Sequence, residues 1–493
     1  MAATAASKRH ITQETFNECV RENMEEFDMS EEDAIADAVT QFESQGVDLS
    51  TVVKGLDVVH PVLTALHAIE ADESDDEISL QGHLKTLQEQ FNDALVSDGA
   101  KELAGRSNGP VILVQRLPAV LEVDTRIMLF TTIQCMVAGN RVNQSLVGDA
   151  GIATTFDLGV LSSHVETQTA ALLCLKSTCA RHEVNKKRLA SHGIVARLLV
   201  LFRERSTISD GSTAASSTKD IADVIRVLTV HDDVESMFSQ THDIIKQFVE
   251  HAIIDAVMPF LQDKSRDPDT LSSWLAVVKQ LAITEDTCRK LVTAGILDLL
   301  PTFQQHAQHR ALLSRCLGLL RNLAAVDEYK TVVTTSCLPW ILSIMQQHPK
   351  EAYLQTLGCA TIAAICLRSP PNCERAAGLQ AHCVVGIAMH SFPSNVALLR
   401  QASLAIRNMV VRNEALRPII LEDPHVESQL RLAMPIRGCG DEAYAALRDL
   451  GADVPLASIG QAQSANFNPV MESSNQLVGR IQENATAPFG EFD

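Results

Sequence analysis

The apolar positions Leu313, Cys316, Leu317, Leu320 and Leu323 follow one another at spacings of 3, 1, 3 and 3. That is a single stripe along one side of an α-helix. The wider stretch from Leu317 to Lys350 reads as helix, break, short helix, break, helix. One such helix cannot bury its stripe alone, so the first question is whether the unit recurs.

It recurs. With Ser336, at the second break, as marker, matching positions are Gly109, Gly151, Gly193, Ala252, Gly295, Ser336, Ala381 and Pro424. Their intervals are 42, 42, 59, 43, 41, 45 and 43. A second marker, Asn322 in "LLRNLA", has counterparts at Cys135, Ser177, Val227, Gln280, Ala364, Asn408 and Asp449. The intervals of that series are 42, 50, 53, 42, 42, 44 and 41. Two series read from different helices share one period. Glycine at four of the eight break points suits a tight turn with unusual backbone angles. The surplus in the long interval of 59 falls on the Ser/Thr-rich 203–220, expected to be a surface loop, and on the segment after Val227.

A period near 42 with about three helices is the length of an armadillo or HEAT unit. The fold class expected is therefore all-α: a right-handed armadillo/HEAT-like α-solenoid of about eight to nine repeats. The repeats are expected over 81–456. Residues 1–56 read as an acidic helical extension, 57–80 as an acidic linker, and 457–493 as a polar, disordered tail. Within the extension, 12–27 and 31–45 read as two helices, with Ser30 and Asp33 in a capping pattern. Phe16, Val20, Met24 and Phe27 form its apolar stripe. The hairpin is expected to cap the exposed core of the first repeat; the competing reading is an acidic arm folded over a basic groove.

"LRNLA" within such a unit resembles the armadillo repeat. The stretch "ITQETFNECVRENMEEFDMSEEDAIADAVTQFESQGVDLSTVVK" (11–54) resembles the start of one family, armadillo repeat-containing protein 6. So do "HDDVESMF" (231–238), "IRNMVVR" (406–412) and "AALRDLGADV" (445–454). The resemblance implies an intracellular, non-enzymatic repeat protein whose third helix in each repeat lines a concave groove.

Composition agrees with helices packed through aliphatic side chains: 46% of the residues are hydrophobic and only 4% aromatic. No apolar run is long enough to span a bilayer, and the first residues lack the apolar core of a secretory signal. Twelve cysteines without a Cys-x-x-Cys spacing, several inside helical patterns (Cys135, Cys174, Cys316, Cys366), read as reduced, buried thiols. The expected location is the cytoplasm, with the nucleus left open. The net charge of −20 is uneven: residues 1–80 hold 19 acidic and 4 basic residues, so −15 of it sits there. The remainder is nearly balanced, which disfavours direct nucleic-acid binding.

No catalytic signature is present: no phosphate loop, no H-E-x-x-H and no G-x-S-x-G. The protein is expected not to be an enzyme, and to need no cofactor or metal. His231, Asp232, Asp233 and His242 match no known ligand spacing, so a capped, partly solvated segment is expected there. "NKKR" (185–188) reads as a solvated helix face.

The groove-facing positions carry the functional expectation. The polar face around Asn322 holds Ser314, Gly318 and Arg321; that around Asn408 holds Arg400, Ser403 and Arg407. Small residues leave space, and Arg and Asn supply donors to an extended peptide. The residue before each member of the second series is Gln134, Lys176, Arg226, Lys279, Arg321, Ala363, Arg407 and Arg448. Six of these are basic, which suggests a ladder reading carboxylates or phosphates. The competing account is that the bases tie neighbouring repeats together. The candidate partner-binding residues are Lys176, Arg226, Lys279, Arg321, Asn322, Arg400, Arg407, Asn408 and Arg448. The expected function is a monomeric protein-interaction scaffold holding a partner segment, acidic or phosphorylated, in the groove. The alternative is an adaptor or dedicated assembly chaperone that binds a folded partner through the arm, a loop or the convex face. No Trp stands one turn before Asn322 or Asn408, so recognition of basic import signals is not expected.

Overall fold

In the computed structural model, the described residues are 9–49, 51–71, 76–206, 213–263 and 266–454. They are almost entirely helices and turns. The exception is a pair of two-residue parallel strands, Arg9–His10 and Val47–Asp48. The chain divides into two compact units. The first comprises 1–202 and 223–244, the second 203–222 and 245–493.

Each unit is built by one helix per repeat lying side by side with the next. In the first unit these are Glu77–Asn92, Val123–Val137 and Val165–Cys179, each packed on its successor. In the second they are Pro268–Leu281, Arg310–Ala325, Ala352–Cys366, Val396–Val410 and Gly440–Leu450, again in chain order. Every member of the Asn322 series lies on one of these helices or on Thr213–Leu228. The stripe Leu313, Cys316, Leu317, Leu320 and Leu323 is buried throughout. The break series also marks turns. Gly193 and Gly295 have φ of 91° and 87°, a left-handed conformation that a Cβ would strain. Ala252 adopts the same region at φ 61°, as do Asn108 and Gln380, one residue before Gly109 and Ala381.

Several expectations need correction. Ser336 is no break: Lys330–Gln347 is one continuous helix that admits Pro339, and only a 3-10 turn at Asp327–Tyr329 precedes it. The stretch 57–80 is largely helical rather than linker. Pro61–Ala71 and the start of Glu77–Asn92 lie inside it, because Val62, Ala65, Leu66 and Ile69 form a buried face. The 203–220 loop is mostly helix as well: Ile194–Ser206 runs into it and Thr213–Leu228 starts within it. The tail beyond 454 and most of the acidic run 72–77 lie outside the described residues.

The extension folds as expected into Gln13–Phe27 and Glu31–Ser44, with Thr12 and Ser30 accepting the capping N–H groups of Thr15 and Asp33. Its core is its own, made by Phe16, Val20, Ala34, Ala38, Leu49 and Val52. Phe27, placed on the apolar stripe, is 64% exposed because the helix ends there. Among the described residues the two helices pack chiefly on each other.

Candidate partner-binding groove

The two asparagines of the second series are bound into the repeat stack. Asn322 Nδ2 donates to the Lys279 carbonyl at 3.1 Å, and Asn408 Nδ2 donates to the Ala363 carbonyl at 2.9 Å. Each bond reaches back one repeat, to the preceding inner helix. The amide therefore closes the stack first, and its donor is not idle in the groove. The small residues are also used internally. A Cβ on Gly318 would stand 3.0 Å from Lys279 Cδ, so the aliphatic stem of Lys279 fills the gap that Gly318 leaves. Ser403 is fully buried, and Ser314 donates to the Ala311 carbonyl of its own helix.

The basic ladder is mostly neutralised inside the protein. In the first unit Lys176 Nζ lies 2.8 Å from Asp223 Oδ2, and Arg226 Nη1 lies 3.1 Å from Asp223 Oδ1. In the second, Arg400 Nε meets Glu442 at 2.7 Å, Arg407 Nε meets Asp449 Oδ2 at 3.0 Å, and Arg448 Nη2 meets Asp449 Oδ1 at 3.0 Å. The carboxylates paired with Lys176, Arg400 and Arg407 come 47, 42 and 42 residues later. The competing account, bases tying neighbouring repeats together, describes Lys176, Arg400 and Arg407, while Arg226 and Arg448 pair within their own helices.

Arg321 differs. Its Nη2 lies 3.4 Å from Asn322 Oδ1, its Nε is buried without a partner, and no carboxylate lies within ion-pairing distance among the described residues. Burial pulls its pKa down, opposed only by Tyr353. Tyr353, from the next inner helix, has its own pKa raised by burial and is held back by Arg315 and Arg321. Its surface is 41% exposed, so the patch opens to solvent. Arg315 and Tyr353 were not among the sequence candidates. Arg315 stands three residues before Gly318 and seven before Asn322, on the face already identified. One period after Arg321 the chain has Ala363 where the paired bases find an acid, a gap legible in the sequence.

Residues 8–78 match the model of the family described as Armadillo repeat-containing protein 6 N-terminal domain. This chain is similar to armadillo repeat-containing protein 6. It is 26% identical over 395 residues to the Homo sapiens protein of that name, covering 75% of this chain and 76% of that one. The Drosophila melanogaster homolog is 23% identical over 373 residues, covering 73% and 77%. Among solved structures, an engineered protein superposes with a TM-score of 0.66 at 15% identity, over 80% of this chain and 89% of that one. A designed armadillo repeat protein in complex with the peptide (KR)4 aligns at a TM-score of 0.44 and 15% identity, over 53% and 99%. The fold is an armadillo-repeat α-solenoid. The family match at 8–78 spans the extension and also the helix Pro61–Ala71, so it passes beyond the boundary expected at residue 56.

Proposed function

We propose that the chain is a protein-binding scaffold whose second unit receives an extended partner segment along its inner helices. A carboxylate or phosphate of that segment seats against Arg321. The carrying observation is the guanidinium of Arg321, partly sequestered with an unpartnered Nε and with no counter-ion among the described residues. A buried charge without a partner is costly, and an incoming anion with lone pairs aimed at the guanidinium removes that cost. The Tyr353 hydroxyl can donate to the same anion. The other ladder residues shape and stiffen the wall, and no catalytic role is assigned to any of them.

The test is affinity purification from cell extract with three full-length forms: wild type, Arg321→Gln and Arg448→Gln. A partner held by the wild type is expected to be lost from Arg321→Gln and kept by Arg448→Gln, since Arg448 is an exposed second partner of Asp449. Inorganic phosphate at constant ionic strength should also raise the thermal midpoint of the wild type and leave that of Arg321→Gln unmoved. Undiminished capture by Arg321→Gln would overturn the reading.

A further inference from the structure

In the first unit, the segment between Thr213–Leu228 and Thr241–Glu250 is an irregular loop, and it carries three of the most exposed large apolar side chains. Val234, Met237 and Phe238 are 98%, 90% and 82% exposed. Water-facing groups of this kind are expected on mobile loop tips, yet here the loop's base is clamped. The Asp233 carboxylate, 1% exposed, takes two parallel bonds from Arg141, at 3.0 and 3.2 Å. It also accepts the backbone N–H groups of Glu183 and Glu235 at 2.9 and 3.1 Å. Lys186, fully buried, donates to the Val230 carbonyl at 2.7 Å and pairs with both Asp232 and Glu183. Glu183 in turn accepts the Gln240 N–H at 3.2 Å, at the far end of the loop. "NKKR" is therefore no solvated face: its first lysine anchors this loop. Asp232 and Asp233 serve as anchors too, held by Lys186 and Arg141.

We infer that the 230–240 loop is a preformed apolar knob that inserts into an apolar, basic-rimmed pocket of a folded partner protein. Four arguments lead there. The side chains protrude, so the complementary surface is a pocket rather than an extended peptide. Their combined apolar area, roughly 400 Å², is about half of what each partner contributes to a stable standard interface, ~800 Å². Two copies of this chain meeting knob to knob would thus fall short, whereas a few aromatic and aliphatic anchors in a pocket can dominate binding. Two of the four acids in 230–243, Asp232 and Asp233, are taken up by Lys186 and Arg141; Glu235, 65% exposed beside Val234 although it pairs with Arg141, and the exposed Asp243 remain acidic beside the knob, and the segment holds no Lys or Arg. The clamp fixes the loop before binding, which lowers the ordering cost.

The test places p-benzoylphenylalanine at Phe238 of the full chain in cells and irradiates. The expected result is one discrete adduct whose crosslinked peptide lies in an apolar pocket of a folded domain. Its yield should fall at least tenfold in the Val234→Ser/Met237→Ser form, which alters only exposed side chains and should keep the wild-type thermal midpoint. Asp233→Asn, which loosens the clamp, should also lower the yield. An adduct of twice the chain's mass would assign the knob to self-association and overturn the proposal. So would a spread of adducts matching that from a control position at Ile419, or a yield indifferent to Val234→Ser/Met237→Ser. None of these outcomes depends on Arg321, so the groove reading and this one stand or fall separately.

Discussion

A cation without a counter-ion weakens the resting protein, and Arg321, which has none among the described residues, allows that to be measured. Replacing a poorly compensated buried charge with an apolar side chain of similar length is often neutral or stabilising. Arg321→Met is therefore expected to raise the thermal midpoint while abolishing partner capture. Arg400→Met should do the opposite to stability, lowering it by about 1 kcal/mol, because Glu442 loses its 2.7 Å partner. Circular dichroism melts of the two variants decide this, and equal destabilisation by both would mean that Arg321 is internally compensated. The basic positions themselves were legible in the sequence; the pairing of Lys176, Arg400 and Arg407 was not, because their carboxylates lie a full repeat away. At the same scale the thiols make a second prediction. Ten of twelve cysteines are buried, and burial pushes Cys174, Cys179 and Cys359 up to about 12. At pH 8 only Cys135 and Cys383, both partly exposed, should react promptly with a thiol reagent, and Cys383, pushed up to about 11, should be the slower.

Between helices, the repeat stack depends on amides that the period places one behind another. Asn143 donates to the Lys101 carbonyl at 2.9 Å, Asn185 to the Gln144 carbonyl at 2.8 Å, and Asn322 and Asn408 do likewise in the second unit. Asn185 is completely buried and also donates to the Thr178 carbonyl at 3.0 Å. Asn185→Ala strands two carbonyls away from water and should cost about 2 kcal/mol. Faster hydrogen exchange along Val165–Cys179 would register it; unchanged exchange would show that water replaces the amide. Periodicity placed a marker on each inner helix, without giving the helix ends, because their stripes are long and uniform. It failed at Ser336, where an expected turn is helix, and at 57–80, where acidic residues flank a helix with a short apolar face. Local charge hid that face, and only packing within the first unit exposes it. The knob at Val234 was equally hidden: its apolar residues look like core in a sequence, and their exposure follows from how Asp232 and Asp233 are tied down.

Taken over the whole molecule, buried imidazoles set the lower edge of the stable pH range. His60, His182 and His382 each have a pKa lowered by burial, with Arg141 adding to the effect at His182. Their folded forms resist the proton, whereas the unfolded chain accepts it near pH 6.5. Stability from these groups is complete above that value and is lost as pH falls toward their folded pKa values. Asp233 and Asp267 behave in the same sense at lower pH. Burial alone would raise them, but hydrogen bonds to Glu183 N–H and Arg141, and to Thr270, hold both below the usual range. Their contribution persists until pH falls below about 4. The buried thiols have the reverse sign, since their raised pKa values withdraw stability only as pH climbs past about 8.5. The urea midpoint should therefore be flat between pH 7 and 8 and fall between pH 6.5 and 5, before any carboxylate titrates. His382→Gln removes one of these imidazoles, whose Nδ1 has no hydrogen-bond partner among the described residues, and should reduce that slope. A midpoint that stays level down to pH 5 in the wild type would mean that the three rings take up protons as freely folded as unfolded, and that the repeat core is open to water where the fold closes it.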